Sequence, residues 1–177
     1  MLKWILILVG ALAALAALVF VAGSILPVKH SATIRARYGR PAPEVFDAIT
    51  NLDRVTEWRE DLERIERLSP PGEEPQRWRE FGSFGPMTYE REVWDPPRRA
   101  VVRIADTSQG FGGKWTYVVE PDGEGSTLTI TEDGEVYNAL FRFMSRFIFG
   151  HHSTMLGMAR SLGRSFGEET APEKVGG

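Results

Sequence analysis

The 177-residue sequence contains no cysteine. This absence excludes disulfide bonds, thiolate nucleophiles and cysteine-ligated zinc. The sequence also has no block of basic residues, and its formal net charge is only -3. We therefore expect no nucleic-acid partner, because binding a phosphate backbone requires a concentrated cationic surface.

Common catalytic and cofactor motifs are missing too. The sequence shows no Ser–His–Asp pattern, no glycine-rich nucleotide loop and no metal-ligand spacing. His151 and His152 are adjacent, so a helix would point them about 100° apart and they would not bind one metal ion together. We expect neither a cofactor nor a metal site.

Charged residues are absent from Trp4 to Val21. This run is close to the ~20 residues that a helix needs to cross the ~30 Å hydrocarbon core of a bilayer. The apolar part of a signal peptide is usually shorter, ~7–15 residues, which favours a retained transmembrane anchor over residues 1–27. The small residues Ala22–Ser24 resemble a cleavage site and leave a signal peptide as the alternative.

The remainder of the chain predicts one domain over residues 28–168 and a disordered tail over 169–177. The side of the membrane stays open. A signal-like start favours a translocated domain, whereas the positive-inside rule favours a cytoplasmic one. The basic residues that follow the anchor are Lys29, Arg35, Arg37 and Arg40.

Alternating apolar and polar residues predict seven strands. One strand precedes two short helices, over 41–51 and 51–61, and six consecutive strands with short turns follow them. The seven segments are 32–39, 62–69, 76–82, 87–94, 99–106, 113–120 and 126–133. The pattern predicts an antiparallel meander of class α+β rather than a parallel sheet.

A helical period replaces the alternation from Asn138 to about Glu168. One apolar stripe predicts a single long helix here, formed by Leu140, Met144, Phe147, His151, Met155, Met158 and Leu162. Gly157 and Gly163 each cost roughly 1 kcal/mol in a helix, so we expect close approach to a strand or to Trp115 at these positions.

This order of elements resembles the helix-grip fold of the START-like (SRPBCC) superfamily, which includes polyketide cyclase/dehydrase-like and lipid-transfer proteins. The resemblance covers roughly residues 30–166, and is closest to small membrane-anchored bacterial members. It rests on Pro43, Val45 and Phe46, on Trp58-Arg59, on the strand 112–117 and on the strand 129–135. It implies a curved sheet with a long C-terminal helix over an internal cavity. It does not imply one activity.

Strand alternation separates the side chains that face this cavity from those that face outward. It places Trp115, Tyr117 and Val119 on one inner face, and Leu128, Ile130 and Glu132 on the next. We also assign inward positions to Ala100, Val102, Ile104, Trp78, Glu80, Met87, Tyr89, Arg91 and Val93.

Three charged residues, Glu80, Arg91 and Glu132, thus fall on an otherwise apolar inner surface. Buried charges must pair, shift their pKa values or bind a ligand, because desolvation is costly. One interpretation is a structural network of ion pairs, with both carboxylates around Arg91. The other is a polar anchor for a ligand or an acid–base group, with Glu80, Glu132 and His151 as candidate catalytic residues.

Aromatic side chains are numerous, with five Trp, ten Phe and four Tyr residues. Six of them could line a hydrophobic cavity or simply fill the core: Trp58, Trp78, Tyr89, Trp115, Tyr117 and Tyr137. His151 and Met155 lie on the inner stripe of the last helix and are further candidates for ligand contact. The segment 141–149 is rich in Phe and Arg. Burial is favoured for it over contact with lipid.

These features favour a membrane-tethered domain that binds a hydrophobic small molecule or lipid. Two alternatives remain. One is a cyclase or dehydratase that uses cavity Glu and His side chains, and the other is a scaffold for an envelope protein. The ligand, the membrane orientation and the oligomeric state stay open.

Overall fold

The computed structural model describes residues 1–82 and 85–176. Within them the chain forms one antiparallel sheet with strand order β2-β3-β4-β5-β6-β7-β1-β8. The strands are β1 (Lys29–Tyr38), β2 (Leu62–Arg67), β3 (Arg77–Gly82), β4 (Gly85–Asp95), β5 (Arg99–Ile104), β6 (Phe111–Asp122), β7 (Gly125–Val136) and β8 (Glu173–Lys174). The six-stranded meander is confirmed, and β1 pairs with its last strand.

The helices have side-chain caps where the sequence offers them. They are α1 (Leu2–Ile25), α2 (Ala42–Thr50), α3 (Leu52–Trp58), α4 (Ala139–Met144), a π-helical segment (Ser145–Phe149) and α5 (Ser153–Ser165). The Asn51 side chain accepts a hydrogen bond from the Asp53 N–H at the start of α3. Asn138 accepts from Leu140 N–H at the start of α4. Both caps satisfy donors that the first helical turn leaves free.

The core lies between α5 and the inner faces of β1 and β7. Ile34, Leu128 and Met155 are at most 1% exposed there. Tyr38 Oη donates to the Ala159 carbonyl oxygen at 2.9 Å and so ties β1 to α5. A curved sheet covered by a C-terminal helix is the helix-grip arrangement that the sequence pattern implies.

The predicted single helix over 138–168 is wrong in its middle. Gly150 has φ +74°, outside the helical range, and separates the π-helical segment from α5. The C-terminal half of the stripe is buried as expected, including Met155 and Leu162. The N-terminal half is not, since Leu140 and Phe147 are exposed. A glycine reaches positive φ without steric cost, and this one redirects the chain.

Two further expectations need correction. Glu173–Lys174, which fall in the expected disordered tail, form β8 and pair with Arg35 and Ile34 of β1. Gly177 lies outside the described residues. In α5, a Cβ at Gly163 would overlap Thr170 Oγ1, which fits close approach, but to the C-terminal segment rather than a strand. A Cβ at Gly157 would meet open space.

Strand β4 contains a β-bulge that the alternation did not reveal. The register shifts between Arg91 and Val93, so that Val93 pairs with Val101 and Trp94 with Ala100. An extra residue reverses which side chains face inward beyond that point. Trp94 is therefore the inward residue and packs against Phe46 of α2, with ring centroids 5.2 Å apart. The inward assignment of Val93 is wrong.

Candidate ligand-binding cavity

A cavity of about 700 Å³ lies beside the core, enclosed by α2, α3, α5 and the inner faces of β3 to β6. The core side chains occupy the inner faces of β1 and β7. The cavity occupies the other half of the sheet, between the helices α2 and α3 and the strands β3 to β6. Its volume is in the range of ~300–1,000 Å³ typical of small-molecule sites.

The structure brings together seven of the eleven side chains considered as ligand contacts from the sequence. Those that line the cavity are Trp58, Trp78, Glu80, Tyr89, Arg91, Trp115 and Tyr117. Alternation succeeds here because β3, β5, β6 and the first part of β4 are regular. The wall is mainly aromatic, with a few polar groups at defined positions.

The other four candidates lie elsewhere. Met155 is fully buried in the core. Tyr137 is exposed and donates its hydroxyl hydrogen bond to Glu135. In the described part of the structure, Glu132 and His151 do not line the cavity and lie near His30, although Glu132 pairs across the strands with Trp115. The His30 and His151 rings stack with centroids 3.9 Å apart. His30 Nε2 is 3.6 Å from Glu132 Oε1.

Glu80 is the buried carboxylate of the cavity wall. Its Oε1 accepts a hydrogen bond from Trp78 Nε1 at 3.0 Å, and its Oε2 accepts one from Arg59 Nη1 at 3.1 Å. Arg59 also donates to Asp61. Burial disfavours the Arg59 charge, but the hydrogen bond to Asp61 and the charge of Glu80 outweigh it and raise the pKa of Arg59. This group is a closed ion-pair network.

Arg91 does not join the two carboxylates, which corrects the network that the sequence suggested. It pairs instead with Glu74, in the segment between β2 and β3, and its guanidinium lies over the Trp94 ring at 4.2 Å. Its Nε is buried and has no partner among the described residues. Arg91 therefore keeps a free donor next to the cavity.

Two tyrosine hydroxyls supply further donors. Tyr89 and Tyr117 line the cavity, and within residues 1–82 and 85–176 neither hydroxyl has a hydrogen-bond partner. Burial raises the pKa of both hydroxyls, and the negative charge of Glu80 adds to this effect. Both hydroxyls thus stay protonated at neutral pH and can donate to an acceptor in the cavity.

A second cavity of about 570 Å³ adjoins the first beneath α5. The residues that line both are Arg59, Asp61, Glu80, Tyr89, Thr154 and Met158. The Arg59–Glu80 pair therefore stands in the wall between the two spaces. Gly157 of α5 lines the second cavity, which explains the open space beside it.

The histidine cluster is a separate polar group at the junction of β1, β7 and the start of α5. Burial and the adjacent His30 lower the pKa of His151, while Glu132 opposes this shift. Burial also lowers the pKa of His152. Within the described residues, no group of three His, Asp or Glu side chains is placed to hold a metal ion.

Sequence reasoning missed three residues of this region. Arg59 belongs to the Trp58-Arg59 pair on which the family resemblance rests, but the sequence did not predict its ion pair with Glu80. Trp94 was hidden by the β-bulge. His30 lies near the start of β1, two residues before the predicted strand 32–39. Had the strand been extended to residue 30, the alternation would have placed His30 on the inner face.

Comparisons with known proteins agree with this architecture. Residues 28–161 match the family described as polyketide cyclase / dehydrase and lipid transport. A search of curated proteins finds no match. Among solved structures, a conserved protein from Geobacillus kaustophilus has a TM-score of 0.64 at 11% identity, covering 81% of this chain and 99% of its own.

Two other solved structures are similar. Norcoclaurine synthase from Thalictrum flavum has a TM-score of 0.63 at 11% identity, covering 80% of this chain and 88% of its own. A protein from Thermus thermophilus has a TM-score of 0.60 at 18% identity, covering 77% of this chain and 99% of its own. At these identities the likeness concerns the fold. With the match over residues 28–161, the chain belongs to the polyketide cyclase / dehydrase and lipid transport family of START-like proteins.

Proposed function

We propose that this protein binds a hydrophobic small molecule or lipid in the cavity while α1 tethers the domain to a membrane. The observation that carries the proposal is the aromatic cavity of about 700 Å³ with two tyrosine hydroxyls free to donate. Buried polar groups are normally hydrogen-bonded, so donors without a protein partner are suited to a ligand. The family supports a role in cavity binding at this coarser level.

The wall indicates the chemistry of the ligand. The rings of Trp78 and Tyr89 stack with centroids 5.9 Å apart, and Trp115 lies beside Tyr117. Flat apolar surfaces of this kind accommodate fused rings or acyl chains. The hydroxyls of Tyr89 and Tyr117 favour a carbonyl, ester or carboxylate oxygen on the ligand. A molecule that is mostly apolar with one acceptor group meets both requirements.

Membrane tethering is the second part of the proposal. Helix α1 has 24 residues, and at 1.5 Å per residue a helix of this length is about 36 Å long. Its length and composition suit a membrane span, and a signal sequence shares both properties. A binding domain held beside a bilayer meets hydrophobic ligands at a high local concentration.

The acid–base alternative has less support. Both oxygens of Glu80 already accept hydrogen bonds from Arg59 and Trp78. A carboxylate whose two oxygens are held by protein donors is poorly placed to exchange a proton with a ligand. Glu132 and His151 do not line the aromatic cavity within the described part of the chain.

Native mass spectrometry of the full chain, released from nanodiscs, tests the proposal. We expect a bound apolar molecule of defined mass. Val102 lines the cavity wall, so Val102→Phe should fill the cavity and abolish binding of this molecule. Val118→Phe is the matched control, since Val118 lies on the opposite face of the sheet. The proposal would be overturned if the wild type and both variants were all found without a ligand after exposure to a lipid extract.

A further inference from the structure

The segment that precedes α5 exposes several large apolar side chains. Phe147, Ile148 and Phe149 end the π-helical segment just before the chain turns at Gly150, and are here called the 147–149 turn. They are each about 60% exposed (62%, 59% and 59%). Leu140 and Phe141 of the neighbouring helix α4 are also exposed. Burial, which the sequence favoured for this segment, is thus wrong for these side chains. Exposed apolar patches of this kind mark an interaction surface.

This surface lies directly beside the end of α1. Helix α4 packs on α1 so closely that a Cβ at Gly23 would overlap the Ala139 carbonyl oxygen. Arg142 fixes the junction: its Nε donates to the Gly23 carbonyl oxygen at 2.8 Å, and its Nη1 donates to the carbonyl oxygens of Val136 and Tyr137. The contact makes α1 a docked helix rather than a freely hinged one.

The contact reaches up α1 into its apolar part. Val19, Ala22, Gly23 and Leu26 are less exposed than the residues around them and follow each other at three- and four-residue spacing. The first three form the stripe of α1 that faces α4, and Leu26 directly follows the helix. Val19 belongs to the apolar run, and α4 packs on α1 from about this residue to the end of the helix. If α1 spans a bilayer, α4 therefore lies at the depth where the hydrocarbon core meets the head groups.

Charge at the junction agrees with that depth. Arg142 and Arg146 line a crevice of about 340 Å³ with Leu26, Pro27 and Lys29 at the end of α1. Lys29 is 83% exposed at its side chain. Cationic side chains placed beside exposed aromatic rings are the composition of an interfacial membrane segment, where rings enter the lipid and cations meet phosphate.

We infer that the 147–149 turn inserts into the leaflet that surrounds the C-terminal end of α1, which gives the domain a second membrane contact and one fixed orientation. This inference rests on the tether proposed above, but it concerns a different surface from the cavity. The occupant is a phospholipid bilayer, because the patch follows α4, which packs on the end of the proposed span, and Arg146 beside it lines a crevice with Leu26 and Pro27.

The absence of cysteine makes the test clean, since single cysteines can be labelled without removing native ones. Nitroxide labels would be placed one at a time in the full chain at Ile148, Phe149, Leu12 and Glu124. Leu12 reports the span, and the exposed Glu124 in the β6–β7 turn reports water. Collisions with oxygen and with an aqueous nickel chelate are measured in nanodiscs of phosphatidylcholine with one quarter phosphatidylglycerol.

The expected result is that labels at Ile148 and Phe149 lose most nickel collisions and gain oxygen collisions relative to Glu124, as Leu12 does. If Leu12 is in lipid while both turn labels match Glu124, the inference is overturned and the tether stands. If Leu12 is in water as well, the tether fails too. Spin–spin broadening at Ile148 would indicate a second copy of the chain on the patch and would also overturn the inference. Ligand occupancy is measured separately and does not enter these outcomes.

Discussion

Arg59 Nη1 lies 3.1 Å from Glu80 Oε2, and the two side chains are only 12% and 11% exposed. This ion pair is shared by both cavities and joins the end of α3 to β3. A buried pair with its hydrogen bonds satisfied holds its surroundings in place, but removing one partner leaves the other charge without compensation.

Replacement of Glu80 by Gln should therefore destabilise the protein. Arg59 keeps Asp61, and the introduced amide retains an acceptor oxygen for Trp78, so we expect a loss of about 2 kcal/mol, below the usual cost of breaking a buried pair. Denaturant unfolding measures it. Asp95→Asn, which removes the exposed partner of Arg98, is the control and should change little. Equal stability of the two variants would show that the buried pair is dispensable.

The free hydroxyls of Tyr89 and Tyr117 should matter for binding and not for folding. Tyr→Phe at either position should leave unfolding free energy within about 0.5 kcal/mol and reduce ligand affinity by roughly 2–10-fold, the value of one hydrogen bond. Occupancy by the co-purified molecule in native mass spectra gives the affinity change.

Tyr38→Phe is the matched control, because the Tyr38 hydroxyl does have a protein partner, the Ala159 carbonyl oxygen. It should cost about 1 kcal/mol of stability. Unchanged occupancy in Tyr89→Phe and Tyr117→Phe would argue that neither hydroxyl contacts the ligand.

Two glycines of α5 should respond in opposite ways to alanine. Gly157→Ala adds a methyl group in open space and a better helix former, so it should stabilise the protein by up to about 1 kcal/mol. Gly163→Ala forces a methyl group onto Thr170 Oγ1 and should destabilise it by about 1–2 kcal/mol. Thermal unfolding of the two variants side by side decides the matter. Equal shifts would contradict the packing described for this helix.

Acid should weaken the fold through the histidine cluster. His151 has a lowered pKa in the folded state, so below about pH 6.5 the unfolded chain binds more protons and stability falls as pH decreases. The groups facing it are His30, His152, Arg146 and Glu132, of which only Glu132 favours its charge.

His151→Gln should remove part of the stability loss between neutral pH and about pH 5, while His152 retains its own share. Urea unfolding at a series of pH values shows the difference in slope. Parallel curves for wild type and variant would exclude a contribution from His151.

Sequence alone predicts the sheet well because each strand between turns has its own two-residue period. That period sorts side chains within a strand and identified Trp78, Tyr117 and Glu80 as inward. It fails beyond Arg91, since one inserted residue reverses the faces without changing composition, and Trp94 was missed for that reason.

Contacts between distant segments were harder to foresee. The ion-pair partner of Glu80 is Arg59, which lies at the end of α3. Periodicity within a strand does not reveal such a partner from another element, so the sequence analysis paired Glu80 with Arg91 instead. The stripe from Leu140 to Leu162 has a continuous helical period, yet the chain turns at Gly150, and only backbone conformation shows it.

The strand β8 has a consequence for how these molecules behave when crowded together. An open sheet has two outer strands whose unpaired backbone groups can recruit a neighbouring chain. Lys174 and Glu173 occupy that position beside β1. The other border is β2, which has only six residues and exposes the charged side chains of Glu63, Arg64, Glu66 and Arg67. Short, charged strands at a sheet edge disfavour pairing with another chain. Both edge strands thus disfavour edge-to-edge association between copies of the chain. Such association becomes more frequent when proteins are confined to two dimensions.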